Sequence, residues 1–438
     1  MKRLILLLFV LSVLTTHAQQ INTVKLDSLF TSLAKNEEAM GSIAIAKNGK
    51  VVYQKAMGYA VTESNTVADE NTEYHIGSIT KMFTAVLVFQ LIEENKLSLN
   101  DTLSRFFPQL PNAGKITISN LLYHRSGLPN FTNDTNFPDW TDKPKTHEEL
   151  LGYIVGRKPD FEPNAKADYN NSNYLVLSYI IEKVCRKTYK EVLKQNITDR
   201  LNLTKTYYGA DAVLHPNESA SYTYFDNKWK KEKAADLNNY CGAGAIVSTP
   251  ADLAKFIDAL FNYKLVKKQS LDKMKTLVDG YGMGLFPFES GTRKGYGHNG
   301  KTEGFASSLT YYPDEKLAVA YCTNGEIYPK ADILNGVLSI CFNTPYVIPT
   351  FQSLKLSAAE LDRYCGTYLS KQPPIEVICT RKDSVLTLQT KGQIFTVEPV
   401  EKGRFMNKQF GFFFDFDLSK KQLVIEQGSV NYYLDLNK

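Results

Sequence analysis

None of the six histidines falls in H-x-H, H-x-x-x-H or H-E-x-x-H spacing, and none of the six cysteines forms a C-x-x-C pair. The ligand spacings of zinc proteins are missing, and a metal site has little sequence support. Charge of one sign is not concentrated anywhere: 51 Lys and Arg against 46 Asp and Glu leave +5 spread along 438 residues. That pattern carries no nucleic-acid or membrane-surface signature. Past the first twenty residues no apolar run approaches the ~20 residues that a transmembrane helix needs. Internal repeats, low-complexity tracts and a G-x-S-x-G nucleophile elbow are also absent.

What remains is ordinary globular composition, 43% hydrophobic and 22% charged, in a chain long enough for one large domain and a smaller one. The N-terminus reads MKRLILLLFVLSVLTTHAQQ. Lys2 and Arg3 precede an apolar stretch, Leu4 to Leu14, too short to span a bilayer, and Thr16-His17-Ala18 offers a small-residue cleavage site. This order predicts a signal peptide over residues 1–18 and an exported protein, periplasmic or secreted. Export permits disulfides. Cys185, Cys241, Cys322, Cys341, Cys365 and Cys379 are widely spaced, several among apolar neighbours, so buried thiols are expected. A bridge such as Cys365 to Cys379 stays open, because spacing does not settle pairing.

Ile21 to Asn36 has the pattern of an amphipathic helix. In GSIAIAKNGKVVYQKAMGYA two apolar runs flank Asn48-Gly49, a pair suited to the positive φ angles of a tight hairpin turn. From Ser78 the apolar positions Ile79, Met82, Phe83, Val86, Leu87, Leu91 and Ile92 predict another amphipathic helix, with Gly77 just outside its start. Thr249-Pro250-Ala251-Asp252 is a helix start: a capping residue, proline first, an acid in the first turn. Residues 295–325 return to strand patterning, with Pro313-Asp314 as a second hairpin turn, and Asp332 to Phe342 predicts a closing helix. The reading divides the chain into residues 19–342 as an α/β domain bracketed by strands, a linker at 343–357, and a small antiparallel β-domain at 358–438. The last is read from IEVICT, SVLTLQT, QIFTVEPV, FGFFFDFD, QLVIEQG and VNYYLDL.

S-x-x-K occurs three times, at Ser32 with Lys35, Ser78 with Lys81, and Ser270 with Lys273. In the second copy both side chains project from one face near a helix N-terminus, where backbone N–H groups favour developing negative charge. That suits a nucleophile and equally suits a helix cap. An acyl-transfer serine also needs a proton acceptor, a fixed orientation and donors for the oxyanion. Of the 26 tyrosines only Tyr169 is followed two residues later by Asn, in ADYNNSNY. His298 opens GHNGKTEGF and gives H-x-G with Gly300; the other H-x-G, His75 to Gly77, leads into Ser78.

S-x-x-K, Y-x-N and H-x-G in this order, with the blocks IGSITK, LLYHRSGLPNF, YNNSNYLVLSYIIEKV, GAGAIVSTPADLAKF and GYGMGLF, resemble the class C β-lactamase superfamily of serine hydrolases. That superfamily also holds D-alanyl-D-alanine carboxypeptidases, D-aminopeptidases and related esterases. The resemblance covers roughly residues 25–342 and implies a β-lactamase/transpeptidase-like fold, an antiparallel sheet flanked by helices with a helical subdomain. The tail is similar to small β-domains appended to such enzymes. The resemblance makes Ser78 the nucleophile, Lys81 and Tyr169 its proton-transfer partners, and Asn171, His298, Gly300 and Lys301 substrate-binding residues. The backbone N–H groups of Ser78 and Lys301 would form the oxyanion hole, and no metal or organic cofactor is implied. Where cephalosporinases carry Lys this chain has His298, mostly uncharged at neutral pH. The expected substrate is therefore a small D-amino-acid peptide of the cell wall or an ester rather than a β-lactam. A true β-lactamase and a non-catalytic penicillin or cell-wall binder are the alternatives, and oligomeric state is open. His124 is read as structural, and the aromatic loop at 130–145 either shapes the cleft or has no contact role.

Overall fold

The computed structural model describes residues 21–437 except 211–214, 226–227, 352–353, 408–411 and 428–429. The expected signal segment, 1–18, lies outside the described residues. Asn48 and Gly49 have φ of 52° and 74° and turn strand β1 (Ala39–Lys47) into β2 (Lys50–Met57), as a hairpin with two left-handed turn residues requires. Strands β3 (Phe286–Ser290), β4 (Arg293–Thr302), β5 (Phe305–Tyr312) and β6 (Leu317–Glu326) follow much later in the chain. The sheet order is β3-β4-β5-β6-β1-β2, antiparallel throughout. The first hairpin thus completes a sheet that the last strands begin.

The domain's longer helices include α1 (Thr23–Lys35), α2 (Thr80–Glu93), α3 (Asn171–Cys185), α4 (Pro250–Phe261) and α5 (Lys330–Cys341). Successive residues of β1 face opposite sides of the sheet. Ile43 and Ile45 join Leu26, Leu29, Phe30 and Leu33 of α1 and Ile333, Val337 and Ile340 of α5. Ala44 and Ala46 join the larger core that includes Phe256, Ile257 and Leu260 of α4. Each fully buried Leu, Ile or Phe contributes roughly 2 kcal/mol. The Thr249 hydroxyl accepts from the Asp252 N–H at 3.3 Å, capping α4 as its sequence predicts.

The helix after Ser78 differs from the amphipathic helix expected. Gly77–Ile79 form a 3-10 turn, and every residue of α2 from Thr80 to Leu91 is buried. It runs through the middle of the domain, with Phe83 stacked on Phe256 of α4, ring centroids 3.7 Å apart. A helix with neighbours all round needs no polar stripe.

Past the 343–357 stretch, Ala358–Asp362 leads into a closed antiparallel barrel of eight strands, from Gly366–Lys371 to Val430–Asn437. Gly366–Lys371 and Arg404–Asn407, two of the shorter strands, escaped the alternation that marks the other six. Tyr368, Val377, Leu386, Leu388, Phe405 and Phe414 belong to the barrel core, so its interior is packed with side chains. Met406 and Phe413 dock it against Ile327, just past β6. The cysteines are free thiols, with Cys241, Cys322, Cys341 and Cys379 buried.

β4 runs beside the turn that carries Ser78, and two glycines permit the approach. A Cβ on Gly300 would collide with the Ile76 carbonyl oxygen, and one on Gly77 (φ 51°) would lie 2.8 Å from the Lys301 nitrogen. Gly300→Ala should therefore lower stability by about 1–3 kcal/mol, the usual range for overpacking. Chemical denaturation checks this, with Gly114→Ala as the control, since a methyl group on Gly114 would meet nothing within 4 Å.

Candidate active site

Four chain segments converge on Ser78. The 3-10 turn presents its hydroxyl, and Lys81, one turn later in α2, reaches it with Nζ 3.0 Å from Oγ. Tyr169, just ahead of α3, donates its hydroxyl to the same oxygen at 2.7 Å. Ser78 itself is half-buried, whereas Lys81 is fully buried.

The Lys81 Nζ also lies 2.8 Å from Asn171 Oδ1 and 2.8 Å from the Ala243 carbonyl oxygen. These partners are neutral. Burial alone holds the Lys81 amine well below the ordinary lysine range, because an ammonium in the core has lost its hydration. Burial acts in the opposite direction on Tyr169 and holds its phenol above the ordinary tyrosine range, while the hydrogen bond to Ser78 pulls weakly the other way. Both groups are thereby pushed toward their neutral forms.

Asn171 is the first residue of α3. Its backbone N–H donates to Asn130 Oδ1 at 3.2 Å and its Nδ2 to Thr132 Oγ1 at 3.0 Å. Since the amide nitrogen is committed to Thr132, Oδ1 is turned to Lys81. Of the two readings of the 130–145 loop, contact with the site is the one observed.

His298 is 3% exposed on β4, with its ring edge-on to Phe286 at 4.7 Å and 6.2 Å from the Tyr169 ring. Its Nδ1–H donates to the Asn299 carbonyl at 2.5 Å. Burial, and next the nearby Lys81, push its pKa down to about 3, so the imidazole is neutral at any ordinary pH. Gly300 and Lys301 follow, and Lys301 points its side chain to solvent while its backbone nitrogen lies against Gly77.

Two members of this arrangement were not placed at the site by sequence reasoning. His124, read as structural, has that role here, though its neighbours belong to the site. Its Nδ1 accepts the Asn170 N–H at 3.1 Å, and its ring lies 4.6 Å from that of Tyr169 and 5.1 Å from that of Tyr174. It thus braces Tyr169 and the start of α3. The Ala243 carbonyl is the other. Its turn is fixed by Thr84, whose Oγ1 donates to the Gly242 carbonyl at 2.6 Å, and by the absence of room for a Cβ on Gly242, which would lie 2.7 Å from Ser178 Cβ. A main-chain acceptor leaves no signature except that glycine. The other two S-x-x-K serines are committed elsewhere: Ser32 Oγ donates to the Pro349 carbonyl at 2.7 Å and Ser270 Oγ to Glu93 Oε1 at 2.5 Å. Among the described residues no cluster of His, Cys, Asp and Glu has the makings of a metal site.

A sequence model of the beta-lactamase family matches residues 26–338. The chain is 26% identical to penicillin-binding protein 4* of Bacillus subtilis (strain 168), over 92% of this chain and 96% of that protein. It is 29% identical to teichoic acid D-alanine hydrolase of Staphylococcus aureus, over 65% of this chain and 70% of that protein. The structure of D-amino acid amidase from Ochrobactrum anthropi SV3 superposes with a TM-score of 0.61 at 27% identity, covering 71% of this chain and 97% of that one. The matched segment is well over half of the chain and contains each residue placed around Ser78, and the protein belongs to the beta-lactamase family of serine hydrolases.

Proposed function

We propose that the protein is exported and uses Ser78 to take an acyl group from amide or ester donors, D-amino-acid-containing cell-wall peptides or small D-alanyl esters, and to release it to water. The observation that carries this reading is the position of Ser78 Oγ, between the Tyr169 hydroxyl and a buried Lys81 that has no acid partner among the described residues. The names of the hydrolase and amidase relatives support the substrate class. The charged-then-apolar N-terminus supports export.

The hydrogen bonds support Lys81 as the base. A neutral amine has two N–H groups and one lone pair. Asn171 Oδ1 and the Ala243 carbonyl only accept, so they take the two hydrogens and leave the lone pair facing the Ser78 hydroxyl. Ser78 Oγ gives its proton to Lys81 as it bonds to the donor's carbonyl carbon. The bond to the leaving group then breaks with a proton from Tyr169, which recovers one from Lys81. With its phenol held neutral, Tyr169 serves as the acid and Lys81 as the base, a pairing worth roughly 10²–10⁴-fold in rate. The N–H groups of Ser78 and Lys301 serve the oxyanion, each worth about 3 kcal/mol of barrier. A pure binder needs no such relay. A β-lactam carboxylate finds no charge on His298, so β-lactams are poor donors in this reading.

A fluorophosphonate or penicillin adduct on Ser78 should appear by intact mass and vanish in Ser78→Ala. Absence of any adduct, together with no turnover across ester, D-amino-acid amide and β-lactam panels, would sink the reading.

The pH dependence has a definite sign. Because the free enzyme needs Lys81 neutral, kcat/KM should rise with pH through the lowered Lys81 pKa. On a donor without an ionisable group it should fall only where Tyr169 ionises, above the ordinary tyrosine range. His298, already neutral above about pH 3, adds no limb. Stability gives a second readout. Between the lowered folded pKa and the ordinary lysine value of 10.5 the unfolded chain binds more protons than the folded one, so stability rises with pH across that window. Lys81→Met removes this dependence. Its stability relative to wild type should be most favourable at low pH and decline toward pH 10.5, measured by denaturant titration at several pH values.

A further inference from the structure

β4 ends at Thr302, and Glu303 begins the turn into β5. The Lys301 nitrogen lies against the turn that carries Ser78, and Glu303 is two residues on, roughly 7 Å along an extended chain. Tyr240, three residues before the Ala243 carbonyl that holds Lys81, donates its hydroxyl to Glu303 Oε1 at 3.0 Å. The same hydroxyl is 3.0 Å from Thr141 Oγ1, in the loop whose Thr132 holds Asn171. The Phe137 ring stands 6.0 Å from that of Tyr240 and 4.9 Å from that of Trp140. Glu303 therefore ties together three of the segments that build the site and sets a carboxylate at the end of an aromatic wall.

Three properties make this carboxylate unusual. It is half-buried. It has no ion pair among the described residues, unlike Glu218, which meets His75 at 2.7 Å, or Asp142, which meets Lys233. Its hydrogen-bond donor is a neutral phenol, since burial, and next Glu303 itself, hold Tyr240 above the ordinary tyrosine range. One oxygen is thereby fixed in place while the negative charge is left uncompensated.

We propose that Glu303, oriented by Tyr240, is the anchor for a free ammonium group on the acyl donor, so that the site selects donors with an unblocked amine over their N-acylated counterparts. This rests on the reading of Ser78 as nucleophile and adds the group that reads the acyl side. A charge-assisted hydrogen bond from an ammonium is about twice as strong as a neutral one, and the Phe137 and Tyr240 faces are compatible with a cation. An N-acetylated amine has no charge and leaves the carboxylate unpaired and partly desolvated, which is how a polar site rejects a near-isostere.

The test compares D-alanine p-nitroanilide with N-acetyl-D-alanine p-nitroanilide on the full chain. Wild type should favour the free amine at least tenfold in kcat/KM, and in Glu303→Gln, whose amide oxygen still accepts from Tyr240, the ratio should collapse toward one. Glu303→Lys should shift preference toward N-succinyl-D-alanine p-nitroanilide, a gain that misfolding does not produce. Equal losses on both donors in Glu303→Gln would assign Glu303 a purely structural role and overturn the proposal. So would a wild type that turns over the N-acetyl donor as well as the free amine, and in that case the reading of Ser78 would stand. If wild type turns over neither and forms no Ser78 adduct, that reading falls and takes this one with it.

Discussion

A lysine amine enclosed in the core, its hydrogen bonds among the described residues all to neutral oxygens, constrains the rest of this domain. Keeping Lys81 charged there would forfeit hydration that its neutral partners do not replace, and burial shifts the equilibrium toward the neutral amine. An aspartate in place of Asn171 would restore the charge and with it spoil the base. The acceptors must be neutral oxygens, fixed closely enough that the lone pair has only one direction left. Much of the surrounding structure supplies that fixation. Thr132 and Asn130 hold Asn171, Thr84 holds the 241–243 turn, and α2 is buried along its length so that Lys81 cannot swing to water. The sheet contributes through close approach of backbones, β4 to the Ser78 turn, where two glycines leave out the side chains that would part them.

This dependence explains which features were legible in the chain and which were not. Asn48-Gly49 and Thr249-Pro250 act locally: positive φ and a capped first turn are decided within a few residues, and both turned out as read. Ser78, Lys81 and Tyr169 were found because side-chain chemistry at fixed spacing leaves a recognisable order, and the structure brings the three within hydrogen-bonding reach. The Ala243 carbonyl has no side-chain identity to recognise. His124 acts through neighbours that are distant in sequence, Asn170 and Tyr169. The periodicity after Ser78 identified the helix but not its surroundings, since packing on its remaining faces comes from α3 and α4. The barrel shows the same limit: alternation reveals strands, while closure depends on Gly366–Lys371 meeting Val430–Asn437, an end-to-end pairing that no local pattern carries.

The electrostatics of the cleft join these observations to the donor. Lys81, Tyr169 and His298 are all driven toward neutrality by burial, so the reacting centre offers little field of its own. Glu303 is then the nearest negative charge that this reading assigns to the cleft wall. An ammonium held at Glu303 would be repelled by a protonated Lys81 and not by a neutral one. Coupling of this kind is reciprocal: a cationic donor binds better to the enzyme whose base is ready, and its arrival drives the proton from that base. In this reading the two groups would work in the same direction, since burial keeps the lysine neutral and a bound amine favours that same neutral form.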